Sequence, residues 1–121
     1  MMGMTPAFAT MLKGSTNLQQ QIRTGCSPDD PELLQHYINL ALDSADAAEA
    51  SSEKIRILLA CASLLLETAC DHQVALNWRH LCLDQIYRPL LRAEKTSTTA
   101  SDHYRVRQFS LQFRLLTPTF F

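Results

Sequence analysis

The sequence predicts an all-α protein, a single small bundle of four to five helices, and three observations predict it. Residues 55–70, IRILLACASLLLETAC, are apolar at twelve of sixteen positions. Of the four exceptions, Arg56, Ser63, Glu67 and Thr68, the first three lie seven and four apart, on one narrow stripe of a helix whose other faces need apolar cover. Asp30-Pro31-Glu32 is a strong helix start, and only the C-terminal segment shows any strand-like alternation. A chain of 121 residues forms one domain and buries roughly two-thirds of the surface its unfolded form exposes.

Taken in order, Thr5-Pro6 starts a first short helix, since threonine caps an orphan amide and proline has none to lose. Gly14 and Ser15 weaken it, and the polar run from Asn17 to Gln21, with only Leu18 and Ile22 apolar around it, continues to Gly25. Residues 1–29 are therefore expected to be mobile. Asp30 caps the next helix, Pro31 takes its first position, and Leu34, Tyr37, Ile38, Ala41, Ala45 and Ala48 recur at helical spacing. Ser51 and Ser52 separate it from the central helix in a short junction, which implies a helical hairpin.

Asp71 is expected to cap a fourth helix with Val74, Trp78, Leu81, Cys82, Ile86, Leu90 and Leu91 on its apolar face. Pro89 must interrupt it, either by a kink near Gln85 or by an end and a restart at PLLRAEK. Residues 30–94 thus make the core, and residues 95–102, KTSTTASD, have no apolar period and predict a flexible linker. The segment 103–121 is open between helix and added strand. Phe109, Leu111, Phe113 and Leu115 alternate, while Val106, Phe109, Phe113 and Leu116 follow a helical stripe. A helix is preferred, because a strand would need its ladder completed by a partner or a second copy.

The four cysteines, Cys26, Cys61, Cys70 and Cys82, follow no secretory signal, and two sit inside the apolar helix, where free cysteine packs as a small hydrophobe. The central apolar run is too short and too charged to span a bilayer. Both features lead to the expectation of a reduced, cytoplasmic protein. Charge is divided sharply: residues 1–78 carry four basic and nine acidic side chains, residues 79–121 seven basic and three acidic. The asymmetry predicts either a basic contact surface or complementary faces.

Cys70, His72, His80 and Cys82 are the one cluster with zinc-like ligand types, but residues two apart on a helix diverge by about 200°. Cys82 with His80 or Asp84 is the nearest nucleophile and base, and burial on an apolar face would make that thiol inert. Glycine occurs only at positions 3, 14 and 25, which leaves no phosphate loop or dinucleotide fingerprint. The expectation is a non-enzymatic protein with no metal and no cofactor.

Arg79, Arg88, Arg92, Lys95, Arg105, Arg107 and Arg114 are interleaved with Tyr87, Tyr104, Phe109 and Phe113. Such a surface can hold an acidic partner or, with its aromatics exposed, stack on bases. The chain ends LTPTFF, an apolar tail that must fold back or dock. Arg88, Arg92, Arg105, Arg107, Phe109, Phe113, Arg114, Phe120 and Phe121 form the expected partner-binding set. They fit a small adaptor, secretion-type chaperone or regulator that binds an acidic or amphipathic protein, as a homodimer and away from membranes. A nucleic-acid-binding regulator using the same basic half is the alternative.

Overall fold

The computed structural model describes residues 17–120, with side chains to residue 118. Among the described residues six helices follow one another: α1 (17–24), α2 (Pro31–Ala47), α3 (Ser51–Ala69), α4 (Leu76–Gln85), α5 (Tyr87–Thr96) and α6 (Ala100–Phe120). No strand occurs among the described residues, so the C-terminal segment is a helix. The Thr5-Pro6 helix start lies outside the described residues.

α3 is the axis of the bundle, touching α2, α4, α5 and α6. Ile55, Leu58, Cys61, Ala62, Leu65, Leu66 and Ala69 are all buried, while Arg56 and Glu67 are exposed and Ser63 lies at the edge of the same stripe. The helix begins at Ser51, earlier than the apolar run suggests, because the serines expected to separate it from α2 form its first turn. Residues 48–50 alone connect the two helices. Lys54 Nζ donates to the carbonyls of Ala45 and Asp46 at 3.0 and 3.1 Å, which satisfies orphan acceptors and places a cation at the negative end of α2. At the other end of α2, the Asp30 side chain accepts from Leu33 N–H and Pro31 opens the helix, as the sequence predicts.

The segment expected to be mobile is folded from residue 17 onward. Leu18 and Ile22 enter the core, and Trp78 Nε1–H donates to the Ile22 carbonyl at 2.9 Å. Gly25 ends α1 at φ +63°, with space for no side chain: a Cβ there would lie 2.8 Å from Val74 Cγ1 and 2.9 Å from Trp78 Cδ1. Arg23 closes the contact through an ion pair to Asp71 at 2.8 Å. Asp71 therefore does not cap α4. Its carboxylate also accepts from Gln73 N–H at 2.9 Å and shapes the turn that precedes Leu76.

The fourth helix divides at Ile86 into α4 and α5, so the restart expected from Pro89 occurs, but at Tyr87. Pro89 thereby falls in the first turn of α5, where a missing N–H costs no helical hydrogen bond. Leu91, expected in the core, is half exposed at 51 %. The expected linker is also shorter than predicted, since only residues 97–99 lie between α5 and α6. Thr99 caps α6 by accepting from Asp102 N–H at 3.0 Å. Asp102 is buried, accepting from Ser51 Oγ at 2.9 Å and from Thr98 N–H at 3.5 Å. These polar residues read as a linker because they serve a helix junction instead of an apolar face.

Candidate functional site

The basic residues of the C-terminal half fall into two groups. Arg79 is buried, and its Nε donates to the Ala69 carbonyl at 2.8 Å, capping the end of α3. Arg88 bonds Gln35 Oε1 and, at 2.7 Å, Asn39 Oδ1, while Arg92 pairs with Asp46 at 2.9 Å. Both arginines of α5 thus tie it to α2. Arg105 reaches the Ser52 carbonyl at 3.4 Å. Lys95, Arg107 and Arg114 are exposed.

Phe109 and Phe113, expected to meet a partner, instead hold α6 to the core at 6 % and 7 % exposure. Phe113 also packs edge-on against Tyr87, ring centroids 5.5 Å apart. The side chains of Phe120 and Phe121 lie outside the described residues. The expected set is therefore only partly brought together: Arg107 and Arg114 share the outer side of α6, Arg88 and Arg92 point across to α2, and the two phenylalanines face inward.

The structure adds apolar residues to this face. Tyr87 and Leu91 on α5 and Tyr104, Leu111 and Leu115 on α6 are all more than half exposed. A cleft of about 440 Å³ between the helices is walled by Glu94 and Ser97 of the α5 side and by His103, Val106, Arg107, Ser110, Leu111 and Arg114 of α6. A shallower depression of about 240 Å³ runs over Tyr87, Arg88, Leu91, Arg92 and Lys95. Apolar ridges bordered by cations, with these two open clefts between them, suit contact with an extended surface better than capture of a small molecule.

The signal for Leu111 and Leu115 was present in the alternation of Phe109, Leu111, Phe113 and Leu115. Residues two apart lie on nearly opposite sides of a helix, so this pattern marks a helix that is apolar inside and outside. It resembles a strand only if one of the two faces is assumed to be polar.

The potential chemistry elsewhere is quiet. Burial pushes the Cys61 and Cys82 thiols up to about 12, and burial likewise raises the pKa of the Tyr37 hydroxyl beside Cys61. These thiols stay protonated and poorly nucleophilic at neutral pH. Cys82 is buried while His80 on the same helix is exposed, and His72 is exposed in the turn after Cys70. Among the described residues no group of three or more His, Cys, Asp or Glu side chains is placed to share an ion.

A depression of about 690 Å³ bounded by α1, α3 and α6 contains Arg23, Ser63, Glu67, Cys70, Asp71 and His72. Arg23 and Asp71 pair within it. The Arg23 hydrogen bond and the Gln73 N–H hold the Asp71 carboxyl below its ordinary value, and burial raises the Cys70 thiol against the pull of Arg79. A thiol raised by burial beside the ionised Asp71 carboxylate lacks the activation that nucleophilic catalysis requires. No described helix is long and apolar enough to cross a membrane. No protein-family model, curated protein or solved structure matches this chain.

Proposed function

We propose that this chain is a non-enzymatic protein-binding module, an adaptor, chaperone or regulator, whose docking face is the outer surface of α5 and α6. One observation carries the reading. Tyr87, Leu91, Tyr104 and Leu111 stand more than half exposed on two neighbouring helices, among Lys95, Arg107 and Arg114, although the bundle buries Trp78, Ile86, Leu90, Val106, Phe109 and Phe113 beside them. Apolar side chains left out of a well-filled core, and grouped with cations, fit a contact surface. The mechanism is packing of a partner segment against α5 and α6, with the arginines guiding approach and register. Four unpaired thiols, two of them buried, favour work in a reducing, cytoplasmic compartment.

Nucleic-acid binding is the weaker use of the same half. Arg79 is buried at a helix end, Arg88 and Arg92 are engaged with α2, and Phe109 and Phe113 cannot stack on bases from inside the core.

The test is capture from host lysate, at moderate and at high salt, with the wild-type chain and a Leu91→Glu/Leu111→Glu variant. A stoichiometric protein that survives high salt on the wild type and is lost from the variant is the expected result. Equal recovery on both would remove the α5–α6 face from the proposal. Nucleic acid that is released by salt would replace it with the alternative.

A further inference from the structure

Building on the reading of α5 and α6 as a docking face, we infer that the partner segment is an acidic amphipathic helix laid lengthwise along the outer side of α6.

The register of α6 carries this. Tyr104 and Leu111 are seven residues apart, Gln108 and Leu115 are seven apart and offset by four, and all four are exposed. That is the spacing of a heptad seam, with Tyr104 and Leu111 at d and Gln108 and Leu115 at a. Val106, Phe109 and Phe113, on the opposite side of the helix, are buried. α6 therefore has one face fixed to the core and a second, seam-like face directed outward. Arg107 and Arg114 occupy the two g positions beside the seam, and Arg105 and Gln112 the two e positions. No acid flanks it.

A second copy of this chain is a poor occupant. Antiparallel α6 helices would set g against g, arginine facing arginine, and parallel ones would set Arg107 against Gln112, five positions on, and give Arg114 no acid to face. Neither arrangement forms an opposite-charge pair, so the homodimer expected from the sequence would have to use another face. A helix with apolar a and d residues and Glu or Asp at its flanks complements the seam in shape and charge. Arg107 and Arg114 stand about 10.5 Å apart along the axis, so acids seven residues apart on that helix reach both. Gln108, the single polar residue in the seam, fixes the register by demanding a polar group opposite.

Three synthetic helices of the length of α6, identical at a and d and bearing Glu, Gln or Lys at e and g, would be titrated by fluorescence anisotropy against the full chain. The Glu helix should bind about tenfold more tightly than the Gln helix, and the Lys helix most weakly. Arg107→Glu/Arg114→Glu should invert that order, and Leu111→Glu should weaken all three; circular dichroism checks that each variant keeps its helices. Equal binding of the Glu and Gln helices overturns the acidic partner and leaves the docking face standing. Binding that ignores Leu111→Glu overturns the face itself. A dimer of the wild-type chain in sedimentation that Leu111→Glu abolishes assigns the seam to a second copy, and displacement of the Glu helix by a single-stranded oligonucleotide assigns it to nucleic acid; either result overturns the inference.

Discussion

α3 and α6 are the two longest helices of the bundle, 19 and 21 residues, and they treat their surfaces in opposite ways. Around α3, apolar residues are covered by four other helices, and what it shows to solvent is Ser52, Arg56, Ala60 and Glu67. α6 buries one apolar stripe and shows another, with Tyr104 and Leu115 about two-thirds exposed at 63 % and 66 %. The side chains of α3 are accounted for by packing alone. Those on the outer side of α6 contribute little to the fold, so a reason for them has to be sought in what the protein meets. The contrast separates residues that build the bundle from residues that the bundle presents.

Breaking the core should have the largest effect. Trp78 is fully buried, seats α1 through Val74 and Gly25, and donates to the Ile22 carbonyl. Trp78→Ala should cost about 3–5 kcal/mol in urea denaturation, from lost burial and the cavity left behind. A cost below about 1 kcal/mol would mean that α1 and α4 are not anchored as described. Gly25→Ala should follow at about 1–3 kcal/mol, because the new methyl meets two buried side chains and the backbone conformation is left-handed.

Much of this core was legible in the sequence because its signals are local. The apolar run at Ile55–Cys70, the cap and proline at Asp30-Pro31 and the break imposed by Pro89 each declare themselves within a few residues. The packing of α1 does not, since it depends on the Ile22 carbonyl meeting an indole 56 residues away. Arg79 likewise looks like a surface cation until the end of α3 is brought to it. Asp102 was readable in principle: Thr99-x-x-Asp102 has the spacing of a capping box, and only the weight given to the polar run KTSTTASD hid it. For the proposed docking face, the sequence marks the exposed cations Arg107 and Arg114, whereas Phe109 and Phe113, expected at a partner surface, are buried, because apolar residues at every second position put Phe109 and Phe113 inside and Leu111 and Leu115 outside.

The junction that orients α6 provides a smaller test. Thr99→Ala removes its cap and should cost about 1 kcal/mol. Burial pushes the neighbouring Asp102 carboxyl upward, but hydrogen bonds from Ser51, Thr98 and Thr99 outweigh it and hold the group below its ordinary value of 3.8. A carboxyl lowered in the folded state binds fewer protons there than in the unfolded chain. Its contribution is therefore complete above that ordinary value and is lost as the pH falls below it. Acid titrations of the wild type and Asp102→Asn should differ in this window and converge at its acid end. Identical pH profiles throughout would show that the carboxylate does not hold the α3–α6 junction.

The smallest stability effect is the most informative about function. Phe109 and Leu111 lie two residues apart on one helix, at 6 % and 51 % exposure. Phe109→Ala should cost about 3–5 kcal/mol, whereas Leu111→Gln should change stability by no more than about 0.5 kcal/mol, in the range of ordinary surface substitutions. Tyr104→Gln should match Leu111→Gln, since it too is outside the packed stripe. A pair of substitutions that leaves the unfolding midpoint unchanged and removes helix binding would assign the outer stripe of α6 to recognition alone. A loss of stability comparable with that of Phe109→Ala would show instead that the outer residues belong to the core, and the distinction between α3 and α6 would fail at its root.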